Sequence, residues 1–225
     1  MKEKYLGNIL LTCQLYTMET TLNTENALIQ DTLKSIYTRR AVRKYKDEQV
    51  EREIIEKIID AGRMAPSALN KQPWQFHVVT NKETIRAFSK AILKIMPGEL
   101  MKAEPKVIFR QIVHFLHFPH GLSFLKSTDP VFHSAPVVIF ITADRENEWA
   151  PLDIGMCAQN MMLAAKYFGL DSCPVGFGKY IEHTPLYPQL KIPAKEQVHL
   201  AIILGYGDEK PETHERIKDN IYYVD

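Results

Sequence analysis

Three short stretches carry residue types able to hold a small charged ligand. The first is Arg39-Arg40-Ala41-Val42-Arg43-Lys44. Guanidinium groups are forked donors matched to phosphate oxygens, and Arg39 and Arg43 stand four residues apart. A solvated basic helix end or a nucleic-acid patch would present the same cluster. The second stretch, Pro66-Ser67-Ala68-Leu69-Asn70-Lys71-Gln72-Pro73-Trp74, sets polar side chains between two prolines. Such a loop is stiff and offers both donors and acceptors, although an ordinary connection before a strand has the same composition. The third is Cys173-Pro174-Val175-Gly176-Phe177-Gly178. Its glycines let backbone N–H groups approach a ligand closely. It lacks the strand–GxGxxG–helix setting of a dinucleotide site, as does Gly205-Tyr206-Gly207.

The histidines and cysteines point elsewhere. His114, His117 and His120 fall at i, i+3 and i+6, with His133 beyond. Pro119 breaks any shared helix face and no carboxylate lies among them, so no metal site is expected. Residues 97–130 are interrupted by prolines and glycines and are rich in aromatics. They read as a flap over a substrate, with Phe115, Phe118 and Phe124 as its walls. Cys13, Cys157 and Cys173 form no CxxC pair, which suits small buried residues in a reducing, cytoplasmic setting.

Charge and length narrow the class. Lys and Arg number 28 against 27 Asp and Glu, so no global field draws the chain to nucleic acid or anionic lipid. The longest apolar run, 136–143, is too short to cross about 30 Å of hydrocarbon, and no membrane partner is expected. The elements that must position the three stretches are helices over 25–38, 51–62, 82–95 and 153–168 and strands over 75–80, 136–143 and 198–204. Residues 174–178 read as a turn, Thr184-Pro185 as a helix start, and 221–224 as a terminal strand. Strands and helices mix without a regular βαβ beat, which gives an α+β class.

Taken in order, the motifs resemble the nitroreductase family of FMN-dependent oxidoreductases. Thr38–Tyr45 is similar to that family's opening Arg-Arg-Ser-x-Arg-x-Phe, and Ala61–Trp74 to its Ala-Pro-Ser-x-x-Asn-x-Gln-Pro-Trp loop. The likeness continues through Asp153 and Gln159-Asn160, Pro174–Phe177, Leu204–Gly207 and Arg216. It implies a central, mostly antiparallel sheet flanked by helices. It also implies an intertwined homodimer with flavin sites at the interface. A single FMN-binding domain over 25–225 would follow a poorly ordered extension, 1–24. Arg39, Arg40 and Arg43 would hold the FMN phosphate and ribityl oxygens, and Arg216 would close that site. Ala41 stands where serine is usual, which removes one hydroxyl contact. Pro66, Ser67 and Asn70, with Gln72 beside them, would contact the flavin of the partner subunit. Pro174, Val175 and Gly176 would lie along the isoalloxazine, with an N–H aimed at N5. Lys126 is the nearest basic candidate for the pyrimidine edge. The chemistry implied is ping-pong: hydride from NAD(P)H to the flavin, then to a nitro compound, quinone or similar acceptor, with no protein acid, base or nucleophile. Flavin-fragmenting, dehalogenating or ene-reducing enzymes on the same scaffold, or a non-catalytic flavin binder, are the alternatives.

Overall fold

The computed structural model describes residues 33–101 and 128–224. The chain divides into two compact units, Met1–Arg39 and Arg40–Asp225. In the first, helix α1 is described over 33–38, and the Arg39 N–H donates to the Ser35 carbonyl at 2.9 Å. The second holds helices α2 (Arg52–Arg63), α3 (Lys82–Met101) and α4 (Ala150–Tyr167). Its sheet comprises β1 (Gln75–Val79), β2 (Val137–Asp144), β3 (Asp171–Val175) and β4 (Glu196–Gly205). The strand order is β1-β2-β4-β3 and every pairing is antiparallel. This is the α+β fold expected from the sequence.

β2 is apolar from Val137 to Ile141 because it is central and covered on both faces. Successive side chains alternate between two cores. Val137, Ile139, Ile141 and Ala143 join Ile55 and Ile58 of α2 and Ile154 and Met161 of α4. Val138 and Phe140 join Phe88 and Ile92 of α3 with Val131 and Phe132. Phe140 meets Phe88 and Phe132 edge-on, at centroid distances of 6.1 and 5.8 Å. Full burial contributes about 1.5–3 kcal/mol per such side chain, so this trio fixes α3 against the sheet.

Four local expectations are corrected. α3 does not stop before Pro97 but runs to Met101. Pro97 is exposed and forfeits one helical hydrogen bond, while Ile85, Phe88 and Ile92 anchor the helix in the core. Residues 174–178 are not one turn: β3 continues to Val175 and a 3₁₀ helix begins at Gly176. Thr184-Pro185 opens only a short 3₁₀ helix, Tyr187–Leu190, with the Leu186 N–H donating to Thr184 Oγ1 at 3.3 Å. Residues 221–224 are exposed and form no strand.

Two buried carboxylates organise connections. Asp129 accepts the Phe132 and Ser134 N–H groups at 2.9 and 3.0 Å, which holds His133 and Ser134 at φ 55° and 57°. Glu196 accepts the Thr142 hydroxyl at 2.6 Å across β2 and β4. Beside it His77 Nδ1 lies 3.1 Å from the Leu190 carbonyl, which can only accept, so Nδ1 carries the proton.

Burial, the largest cause in each case, depresses the pKa of His77, His133 and His199. Unfolded histidine titrates near about 6.5, so below that the unfolded chain binds protons that the folded chain refuses. Stability is therefore complete above that pH and falls as pH drops through it. Melting temperature should decline from pH 7.5 to 5.5, less steeply in His77→Gln and His199→Gln. A flat profile across that window would exclude these histidines as the cause.

Candidate active site

The basic stretch is stitched to the sheet by its own backbone. Ala41 bridges Ser172 of β3 in parallel, and the Val42 N–H donates to the Ser172 carbonyl at 3.1 Å. Tyr45 bridges Gly207, the Lys46 N–H reaches the Tyr206 carbonyl at 2.9 Å, and the Asp208 N–H reaches the Lys44 carbonyl at 2.8 Å. Residues 41–46 thus lie between the start of β3 and the segment after β4. The Arg43 N–H donates to Glu209 Oε1 at 2.5 Å, and Arg40 Nη2 donates to Thr213 Oγ1. Lys44 pairs with Asp208 at 2.9 Å, and that hydrogen bond raises the lysine pKa. The Tyr45 hydroxyl donates to the Val42 carbonyl at 2.7 Å, and burial pushes its pKa well up.

The structure therefore brings Arg40 and Arg43 to the chain that follows β4. Arg216 lies in that same exposed segment, three residues beyond Thr213. Arg39 belongs to the first unit. Glu209 and Thr213, partners of the basic stretch, were not singled out from the sequence. The one signal for them was the polar character of 208–220 beside a basic cluster.

The Pro66–Gln72 loop is held in an unusual shape. Leu69, Asn70 and Gln72 have φ of 52°, 52° and 45°, the left-handed region, and none is glycine. Such residues cost of order 1–3 kcal/mol each and cluster at functional sites, although asparagine tolerates the region better. Ser67 Oγ accepts the Gln72 N–H at 2.9 Å, and Asn70 Oδ1 accepts Gln72 Nε2 at 3.0 Å. The Ala68 N–H donates to Asp153 Oδ1 of α4 at 3.2 Å. Pro66, Asn70 and Gln72 are exposed and Ser67 half-buried.

At the end of β3, Pro174 and Gly176 are exposed while Val175 is buried against the core. A side chain added at Gly176 would meet open space, whereas one at Gly178 would strike Ala201. Burial pushes the Cys157 thiol up to about 12, so it is no nucleophile at neutral pH. Among the described residues, no three His, Cys, Asp or Glu side chains gather as metal ligands, and no helix is long and apolar enough to cross a membrane. Lys126, the histidines at 114, 117 and 120, the phenylalanines at 115, 118 and 124, Cys13 and the extension 1–24 lie outside the described residues.

Fold and site together define an α+β protein whose basic strip, polar strained loop and open β3 end surround one four-stranded sheet. The chain belongs to the Nitroreductase family, whose sequence model matches residues 36–206. It is 31% identical to a nitrobenzene nitroreductase from Ectopseudomonas oleovorans over 77% of this chain and 85% of that protein. It is 29% identical to a 4-nitrobenzoate reductase from Pseudomonas putida over 81% and 88% of the two chains. Among solved structures, a nitroreductase with bound FMN from Desulfitobacterium hafniense DCB-2 superposes with a TM-score of 0.69 at 25% identity, covering 87% of this chain and 98% of that one.

Proposed function

We propose that this chain is an FMN-dependent oxidoreductase that takes hydride from NAD(P)H and delivers it to a small electron-poor acceptor, such as a nitro compound or a quinone. The observation that carries the reading is the backbone-stitched strip 40–46, which presents Arg40 and Arg43 beside the segment after β4 in a chain matched to the Nitroreductase family over 36–206. The named relatives and the FMN-bound neighbour support the cofactor and the acceptor class.

The residues present fit the cofactor. Arg40 and Arg43, with Arg216, would hold its phosphate through charge-assisted hydrogen bonds. Ala41 contributes backbone alone there. Pro174 and Gly176 are exposed, and there is open space where a Cβ at Gly176 would stand, as a flat ring system requires. Ser67, Asn70 and Gln72 would supply polar contacts from a stiff loop, and Pro66 an apolar one. FMN, when bound, supplies the hydride relay through its N5. The protein binds, orients and places cations and N–H donors where negative charge develops.

The working form would be a homodimer. α4 is apolar on its outer side as well as its core side: Leu152 is 58% exposed, and Leu69, in the loop tied to α4 through Asp153, is 89% exposed. A groove of about 430 Å³ lined by Pro66, Pro151, Leu152, Gly155, Met156 and Gln159 runs along that side. A second copy of this chain is the occupant that would cover it and bring the Pro66–Gln72 loop to the neighbour's cofactor. Sedimentation should show a dimer, and Leu152→Glu should shift it towards monomer with loss of bound flavin. A stable monomer with full FMN content would rule out the shared site.

The cofactor and the activity are tested together. The purified protein should absorb in the flavin bands. It should also oxidise NAD(P)H faster when a nitroaromatic or quinone is supplied. A colourless protein that takes up no FMN would overturn the reading. A yellow protein that leaves NAD(P)H untouched would reduce it to flavin binding.

A further inference from the structure

We infer that the buried carboxylate of Asp153 is a positioning residue: by holding the Ala68 N–H it fixes the Pro66–Gln72 loop in the shape that presents Ser67 and Asn70 to the cofactor. The inference rests on the reading of the site given above. Asp153 occupies a core position of α4, on the stripe shared by Ala150, Ile154, Cys157 and Ala158, and is 1% exposed. A charged residue on an apolar stripe is a local conflict, and such conflicts concentrate at functional sites. Its place in the first helical turn makes the charge tolerable, because the positive pole of the helix faces it.

The contact explains why the charge is there. Oδ1 accepts the Ala68 N–H at 3.2 Å, while Oδ2 is buried and has no hydrogen-bond partner among the described residues. A half-satisfied buried carboxylate is costly, so the sequence retains it for something other than packing. The loop that it touches has left-handed backbone at Leu69, Asn70 and Gln72. The loop's other hydrogen bonds, from Asn70, Lys71 and Gln72 to Ser67, Ala68 and Asn70, close within the loop itself. The bond from Ala68 to Asp153 ties that internally bonded unit to the scaffold. Without it the three unfavourable backbone conformations would relax, and the polar side chains would lose their aim.

The test compares Asp153→Ala and Asp153→Asn with the wild type by two readouts. Amide hydrogen exchange of residues 68–72 in the apoprotein reports the loop, and FMN titration reports binding. Asp153→Ala should speed exchange there and weaken FMN by about tenfold, the loss of one charge-assisted hydrogen bond. Asp153→Asn keeps an oxygen for the Ala68 N–H and should recover most of both, short of the wild type because its hydrogen bond is neutral. Asp153→Ser, too short to reach, replaces the alanine variant should that one fail to fold, with the same expectation. Unchanged exchange in the alanine or serine variant overturns the inference. So does faster exchange with unchanged FMN affinity, or failure of Asp153→Asn to rescue. A wild-type chain that binds no FMN overturns the functional reading instead, and the exchange measurement needs no cofactor to be read.

Discussion

Arg43→Ala is expected to weaken FMN binding by about tenfold, and Arg40→Ala with Arg43→Ala by about a hundredfold or more, with the fold intact. A hydrogen bond to a charged group contributes about 1.5–3 kcal/mol, and each 1.4 kcal/mol is tenfold in affinity. The fold should survive because the strip is held by main chain. The Val42 N–H, the Lys46 N–H and the Arg43 N–H make their bonds whatever side chain stands at 43. The contact of Arg40 with Thr213 and that of Arg43 Nη1 with the Ala41 carbonyl are lost with their side chains. Wild-type affinity should also fall with added salt, since the contact is ionic, and the double variant should respond less. Fluorescence titration of apoprotein, with melting temperature as control, reads both. Equal affinity in the double variant and the wild type would remove these arginines from the phosphate site.

Some of this was legible in the sequence because local pattern and tertiary environment agree. The isoleucines at 54, 55, 58 and 59 and the run 136–143 each report the surface they pack on, one side for α2 and both sides for β2. The pattern failed where a local signal met a stronger distant one. Pro97 reads as a break, yet the core side of α3 holds the helix through it. Pro174 and Gly176 read as one turn, yet Pro174 pairs with Ile202 as the last but one residue of β3. An edge strand tolerates proline where its N–H is not needed. The three stretches rich in functional residue types stood out by composition. Their partners Ser172, Glu209 and Thr213 did not, because each is defined by a contact between segments far apart in the chain. Asp153 alone carried a local clue, a carboxylate on an otherwise apolar helical stripe.

Gly178→Ala should lower both stability and FMN affinity, and Ala201→Gly in the same chain should recover most of the loss. Gly178 lies in the 3₁₀ helix Gly176–His183, packed on the middle of β4. A Cβ there would sit 2.4 Å from the Cβ of Ala201, which is closer than two carbons can approach. Neither atom can swing aside. Ala201 is fully buried and paired with Phe140 on one side and Val175 on the other. The turn must therefore move off the sheet, and overpacking of this kind costs about 1–3 kcal/mol. In a chain of this size each kcal/mol lowers the melting temperature by roughly 2–4 °C. The turn begins at Gly176, directly after Val175, so its displacement reaches the edge proposed to face the flavin. Removing the Ala201 Cβ leaves the Ala201 main-chain atoms at 3.4 and 3.5 Å as the next nearest, ordinary contact distances. A glycine in a strand carries its own penalty of about 0.5–1 kcal/mol, so recovery should be incomplete. Gly176→Ala separates the two effects. Its Cβ enters open space, so melting temperature should hold while FMN affinity falls. A Gly178→Ala protein that melts with the wild type would show that the turn adjusts freely. Full FMN affinity in Gly176→Ala would show that the open space beside Pro174 is not where the flavin lies.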